Sequence, residues 1–456
     1  MQLDEALENV AILGAGGKMG RGIALLLLQE MLKVELKKTG RTDSGQFHLY
    51  LIDSNPQCFS SLRTYLHKQL LKSAEKEINS LRQLYSQNPR LVSNEEIIQD
   101  YIRGALDHLY FDTHVESAKN ATLIFEAILE DLETKVQVFR HIQEQGGKKR
   151  FYLTNTSSIP IHLLSEKAGL EGCLIGYHFY NPPAVQKLLE IIVPSEADPD
   201  LVDMAGDLAQ RLKKIVVYAD DVAGFIGNGH MIREIVFACK KVETLSLAHP
   251  YTESIYMVNR VTQDWLIRPM GIFQLIDYVG LDVCKHICSI MRTYLSDPNL
   301  TVPLLEQMLE KGCRGGQNAD GSQKNGFFSY TKDGISGIYS LKDMKYISWS
   351  EAAWRHSCDE LLGKLPQGYA SWKSLHKEQY PEPSLKECLK NVLEDDTLGS
   401  KLAQEFLENS FLISRKLVDD HVAHSMHDIE TVLKNGFYHL YGADISQLGI
   451  KHEKFS

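Results

Sequence analysis

Asn9-Val10-Ala11-Ile12-Leu13-Gly14-Ala15-Gly16-Gly17-Lys18-Met19-Gly20-Arg21-Gly22-Ile23 decides the architecture of this 456-residue chain. The aliphatic run Asn9–Leu13 reads as a buried strand, and Ile23–Leu28 opens an apolar helix, with five glycines between them. Glycine serves three ends in such a turn: a tight bend, close approach of a pyrophosphate, and close packing of helix on strand. The helix N-terminus then presents unpaired N–H groups to phosphate oxygens. The spacing departs from the usual G-x-G-x-x-G. Counted forward from Gly14 it reads G-x-G-x-x-x-G; counted back from Gly20 it is regular through Gly17, with Ala15 where the first glycine belongs. In either register Gly14, Gly16, Gly17, Lys18, Met19 and Gly20 are candidate cofactor-binding residues. Asp53 closes the next strand, Phe47–Asp53. A carboxylate there accepts hydrogen bonds from ribose hydroxyls and repels a 2′-phosphate, which predicts NAD rather than NADP. Asp53 follows the glycines by more than the usual gap of about 20 residues, an excess read as a surface insertion around Val34–Gln46. A solvated strand-end carboxylate is the plain alternative for Asp53.

Outward from this unit, buried strands are expected at Ala121–Ile128, Arg150–Thr154, Cys173–Phe179, Ile191–Pro194 and Lys214–Tyr218, with helical stretches such as Pro56–Tyr85 and Asp131–Glu144 between. That alternation predicts an α/β domain, doubly wound and mostly parallel, over residues 1–220. The remainder reads as mostly α-helical: a domain over 221–335 and a second helical region over 336–456. The end of that region, Asp428–Leu433 and Gly442, faintly repeats Ser254–Val258 and Gly271, as a degenerate copy would; unrelated amphipathic helices explain it equally well.

Composition narrows the function. Hydrophobic residues make up 43% and charged residues 24%, the balance of a folded globular protein. The net charge is −10, and no consecutive basic run exceeds Lys148-Lys149-Arg150, so nucleic acid is not an expected partner. The longest apolar run, Ile23–Leu28, is far short of a membrane span. The eight cysteines include no C-x-x-C. Cys284 and Cys288 share a helix face but lack further ligands at zinc spacing, so no metal is expected and reduced thiols are the better reading. Met1–Glu8 is acidic, without an apolar core or arginine, and Lys454-Phe455-Ser456 is no peroxisomal address; a cytoplasmic protein is expected.

Three further islands carry residues that packing alone explains poorly: Asn155-Thr156-Ser157-Ser158, His178-Phe179-Tyr180-Asn181-Pro182 with Glu190 beyond it, and Gly224-Phe225-Ile226-Gly227-Asn228. The first two follow expected strands, and strand ends are where open α/β sheets bind ligands. Taken together, Glu126–Phe139 (EAILEDLETKVQVF), the NTSS run, Gly176–Pro182 (GYHFYNP), Gln186–Ile192 (QKLLEII), Asp221–Asn228 (DVAGFIGN) and Gly271–Val283 (GIFQLIDYVGLDV) resemble the L-3-hydroxyacyl-CoA dehydrogenases of fatty-acid β-oxidation. The resemblance runs from about residue 9 to 330.

The resemblance implies His178 as the general base that removes the 3-hydroxyl proton, and as the donor in reverse. Imidazole titrates within reach of neutral pH and so serves both directions. It implies Glu190 as the group that fixes the imidazole tautomer, and Ser157 as a hydrogen-bond partner of the substrate oxygen beside the cofactor. Asn228 would position the substrate carbonyl, and Glu130, Lys135 and Asn181 would contact NAD. Lys76, with Lys68 and Lys72 nearby, falls near the position that meets CoA, although a solvated lysine face explains these residues as well. The implied partners are an acyl-CoA substrate and a second copy of the chain, dimerised through the helical domain. Four departures stand against the family pattern: the glycine spacing, the insertion before Asp53, Ile272 where proline is usual, and the residues beyond about 330. That extension would replace a dimer partner or cover the acyl pocket. Two other readings keep the same residues: a dehydrogenase of a free 3-hydroxy acid or sugar acid, and a non-catalytic NAD-binding protein.

Overall fold

A computed structural model describes residues 2–450 apart from 87, 89, 147–148 and 319–320, so Lys454–Ser456 lie outside the described residues. The chain forms two compact units, residues 1–221 and 222–456.

The first unit is built on eight strands: β1 (Asn9–Leu13), β2 (His48–Ile52), β3 (Leu109–Asp112), β4 (Leu123–Glu126), β5 (Phe151–Thr154), β6 (Leu174–Phe179), β7 (Leu188–Val193) and β8 (Ile215–Asp220). They lie in the order β3-β2-β1-β4-β5-β6-β7-β8. Neighbours are parallel except β6 and β7. Helices cover the faces, so the central strands are apolar without alternation; Val10 to Leu13, Leu123 to Phe125 and Leu174 to Ile175 are all buried. The strand order reverses between β1 and β4, which places a ligand crevice at the carboxyl ends of those strands. This is the doubly wound domain the alternation predicts.

Three local features differ from the sequence reading. β3 is a short edge strand, half exposed at Phe111 and Asp112, and shows too little pattern to be read. β7 begins at Leu188 rather than Ile191. Lys187 and Glu190 look like a strand break, yet Glu190 is fully buried with Leu188, Leu189, Ile191 and Ile192. The expected surface insertion is interior only in part: the helix Lys18–Thr39 runs into it and Val34, Glu35 and Leu36 are buried, while most of residues 37–46 are exposed. Glu35 accepts hydrogen bonds from Ser44 N (3.0 Å) and pairs with His108 Nε2 (2.7 Å), while the buried Thr42 bonds Asp100 (3.2 Å). The extra residues therefore lengthen a buried helix and tie its return loop to the helix Asn94–Asp107.

Among the described residues the second unit is mostly helical and carries a three-stranded antiparallel sheet, β9 (Phe328–Thr331), β10 (Gly334–Ser340) and β11 (Lys345–Ser348). That sheet straddles residue 335 and was absent from the sequence reading. Phe273, Phe327 and Ile338 share one core with Leu389, Phe406 and Ile445. Within it the helix Leu398–Asp419 packs along the helix Gly227–Leu245. Phe237 and Phe406 meet edge-on at 5.0 Å, Lys241 pairs with Glu405 at 2.8 Å, and Gly229 leaves room for Leu417. Asp277, fully buried, accepts hydrogen bonds from Phe327 N (2.6 Å), Phe328 N (2.8 Å) and the Tyr330 hydroxyl (2.9 Å). Burial nevertheless pushes its pKa up to about 7. No described helix is long and apolar enough to cross a membrane.

Candidate active site

The glycine turn after β1 resolves its own register. Gly14 has φ +78°, and a Cβ there would lie 2.5 Å from the Ala127 carbonyl oxygen. A Cβ on Gly20 would lie 2.1 Å from the Gly14 carbonyl oxygen, so the helix meets the strand with no room for a side chain. Gly17, at the helix N-cap, is exposed, and its nearest neighbour to a Cβ is the Gly14 oxygen at 3.2 Å. The forward register therefore holds: Gly14 makes the bend and Gly20 the close packing, with one extra residue between. Lys18 and Met19 form the first helical turn, and partial enclosure lowers the Lys18 pKa. Asp53 Oδ2 accepts from Gly16 N at 2.9 Å and its Oδ1 from Asn55 N at 3.0 Å, which seats the carboxylate against the turn.

Beyond β4 lies a buried ion network. Lys135, 1% exposed, donates to Glu126 (2.6 Å) and pairs with Glu130 (3.4 Å). Burial opposes its charge, but the two carboxylates outweigh burial and hold its pKa above the ordinary lysine value. Glu130 Oε1 in turn accepts from Thr156 Oγ1 (2.7 Å), Ser157 N (2.9 Å) and Ser158 Oγ (3.0 Å). Burial raises the Glu130 pKa, yet Lys135 and these donors bring it below the usual value. Glu130 and Lys135 thus clamp the segment that carries Ser157. Asn155 Oδ1 accepts from Phe179 N at 2.9 Å and joins the end of β5 to the end of β6.

The antiparallel pairing of β6 and β7 sets His178 directly opposite Glu190, so both side chains share one face of the sheet. His178 Nδ1 lies 3.1 Å from Glu190 Oε1; the imidazole is 8% exposed and the carboxylate fully buried. The Tyr180 hydroxyl donates to the same Oε1 at 2.8 Å, and its ring lies 5.0 Å from the imidazole. Past β6, Lys214 Nζ donates to the carbonyls of Pro183 (2.5 Å) and Gln186 (2.6 Å), fastening the loop that begins with Asn181. Burial lowers the Lys214 pKa to about 8.

Sequence reasoning missed Glu126, Thr156, Ser158, Tyr180 and Lys214 as members of this assembly. Four of them lie inside runs already singled out, but which neighbours they face depends on pairing across the sheet. Lys68, Lys72 and Lys76 fall on the exposed face of the helix Cys58–Lys76. Asn228 lies on the first turn of the helix Gly227–Leu245, in the second unit.

The residues fit NAD. The turn at Gly14 and Gly20 admits no side chain, Asp53 stands beside it, and Asn181 Oδ1 is buried without a hydrogen-bond partner among the described residues. An acceptor of that kind suits a carboxamide N–H.

Comparison with known proteins agrees. The sequence pattern of "3-hydroxyacyl-CoA dehydrogenase, NAD binding domain" matches residues 9–222, and that of "3-hydroxyacyl-CoA dehydrogenase, C-terminal domain" matches residues 224–325. The chain is 26% identical over 330 residues to the "Probable 3-hydroxybutyryl-CoA dehydrogenase" of Bacillus subtilis, covering 71% of this chain and 98% of the relative. The crystal structure of M. tuberculosis FadB2 is similar at 25% identity and TM-score 0.53, over 71% of this chain and 99% of that one. The 3-hydroxybutyryl-CoA dehydrogenase of Escherichia coli shares the fold over 96% of this chain and 91% of its own, at 18% identity and TM-score 0.61. The extension beyond residue 330 is thus part of a fold already seen in a longer protein. With its two matched domains covering more than half its length, the chain belongs to the 3-hydroxyacyl-CoA dehydrogenase family of NAD-dependent oxidoreductases.

Proposed function

We propose that this protein oxidises the 3-hydroxyl of an L-3-hydroxyacyl-CoA to the 3-ketoacyl-CoA, reversibly, with His178 as the proton-transfer group. The observation that carries the reading is the His178–Glu190 pair, set opposite one another by strand register. An ionised Glu190 accepts from Nδ1–H, so the tautomer leaves Nε2 as the nitrogen that takes the substrate proton. Glu190 then stabilises the imidazolium formed. Bound NAD supplies the acceptor for the hydride that leaves C3. Ser157, held from behind by Glu130 and Lys135, donates a hydrogen bond to the substrate oxygen, and Asn228 orients the thioester carbonyl. Asn181 receives the nicotinamide carboxamide. Lys68, Lys72 and Lys76, spaced one helical turn apart on an exposed face, meet the CoA phosphates.

The extension has a proposed role as well. The helix Leu398–Asp419 covers a face of the helix Gly227–Leu245 within one core. In the homodimer the resemblance implies, a partner copy would cover the helical domain. We propose that residues 336–456 take that place and that the protein is a monomer, which light scattering tests directly.

The experiment for the mechanism is His178→Ala. General acid–base catalysis contributes about 10²–10⁴-fold, so turnover falls by that order while NADH affinity stays near wild type. Unchanged turnover removes His178 from the chemistry. Replacing Lys68, Lys72 and Lys76 together by Gln raises KM for a CoA thioester and leaves kcat in place; an unchanged KM favours a free 3-hydroxy acid as the substrate class.

A further inference from the structure

We propose that Tyr180 is a positioning residue of the same site: its hydroxyl shares Glu190 Oε1 with His178 and sets how strongly Glu190 pulls on the imidazole. The inference rests on the His178–Glu190 reading above and goes beyond it by adding a third member. The geometry is specific. Two donors, Nδ1 at 3.1 Å and the phenol at 2.8 Å, converge on one oxygen of a fully buried carboxylate. The phenol makes the shorter bond. A hydrogen bond to a carboxylate oxygen draws charge toward its donor, so what Tyr180 takes is not available to His178. Burial first, and then Glu190, raise the Tyr180 pKa well above the ordinary tyrosine value, so the hydroxyl stays a donor across the working pH range.

The surroundings put this contact at the centre of the pair. Glu190 faces His178 across β6 and has Val217 as its register neighbour on β8. Lys214, just before β8, lies 5.4 Å from the Phe179 ring and gives its described hydrogen bonds to the Pro183 and Gln186 carbonyls. A phenylalanine at position 180 fills the same space and removes the shared hydrogen bond. Oε1 is then released from the phenol, and the imidazolium is better stabilised.

The test is Tyr180→Phe in the full chain, read by the pH profile of kcat/KM for acetoacetyl-CoA reduction by NADH and for the reverse oxidation. The limb assigned to His178 moves upward by about half to one pH unit. Oxidation below that limb accordingly slows about three- to tenfold, and KM for NADH does not change. On a Glu190→Gln background the same substitution moves nothing further, because the effect runs through Glu190. An unshifted limb in Tyr180→Phe, a uniform loss of rate without a shift, or an equal shift on both backgrounds overturns the proposal. If His178→Ala leaves turnover intact, the underlying mechanism fails instead, so the two failures are distinguishable.

Discussion

Replacing Gly20 with alanine, beside Gly17, tests the packing and register of the glycine turn, and the structure sets the scale of the effect. The added Cβ would sit 2.1 Å from the Gly14 carbonyl oxygen and 2.8 Å from Ala15 Cα. Both neighbours are backbone, so no side chain can swing aside. The strand end and the helix must separate by roughly 1 Å, a form of overpacking that costs about 1–3 kcal/mol. For a unit of 221 residues, each kcal/mol lowers Tm by about 2–4 °C, which predicts a drop of roughly 2–12 °C. The same displacement moves the N–H groups that face the pyrophosphate, and each 1.4 kcal/mol lost there weakens NADH binding about tenfold. Gly17→Ala is the internal control: it adds a methyl at an exposed N-cap 3.2 Å from its nearest neighbour, worth at most about 1 kcal/mol of stability. Thermal unfolding and an NADH fluorescence titration on both variants give the answer. A Gly20→Ala protein with wild-type Tm and NADH affinity would refute the close-packing role of Gly20, and a Gly17→Ala protein destabilised as much as Gly20→Ala would refute the forward register.

Two further outcomes follow from buried charge. Lys135→Met leaves Glu126 and Glu130 without their cation; breaking a buried pair costs about 3–5 kcal/mol. A large fall in Tm together with a fall in kcat is expected, since Glu130 holds the Ser157 segment, and a wild-type Tm would show that the network carries no weight. Asp277 has a folded pKa of about 7, raised from 3.8 by burial. The folded state therefore binds the extra proton between these values, and the associated stability is fully present below 3.8 and lost as pH rises through about 7. Over that window Asp277 adds a downward slope of up to about 1.4 kcal/mol per pH unit to the unfolding free energy. Asp277→Asn, although less stable overall because its amide faces donors, removes that slope; parallel pH dependences for the two proteins contradict the assignment.

Much of the site was legible because its chemistry is carried by short runs of unusual residues. β1, the glycines and Asp53 announce a dinucleotide crevice, and β1 occurs at its expected bounds. What escaped reading was decided by long-range pairing. Glu190 looked like a charge just outside a strand because nothing local shows that β7 runs antiparallel to β6 and buries it opposite His178. Tyr180 became a partner of Glu190 by the same register. The length of the helix Lys18–Thr39 depends on Glu35 finding His108, whose position is set by a distant helix end. The sheet β9–β11 escaped reading because its strands are short and mix polar with apolar residues, and only packing draws Phe328 and Ile338 into the core.

The central claim is tested most directly by following NADH oxidation by the purified protein with acetoacetyl-CoA, beside NADPH and beside free acetoacetate. The account predicts rapid turnover with NADH and the thioester, slow turnover with NADPH, and loss of the reaction in His178→Ala. Tight NADH binding with no turnover of the thioester would contradict it.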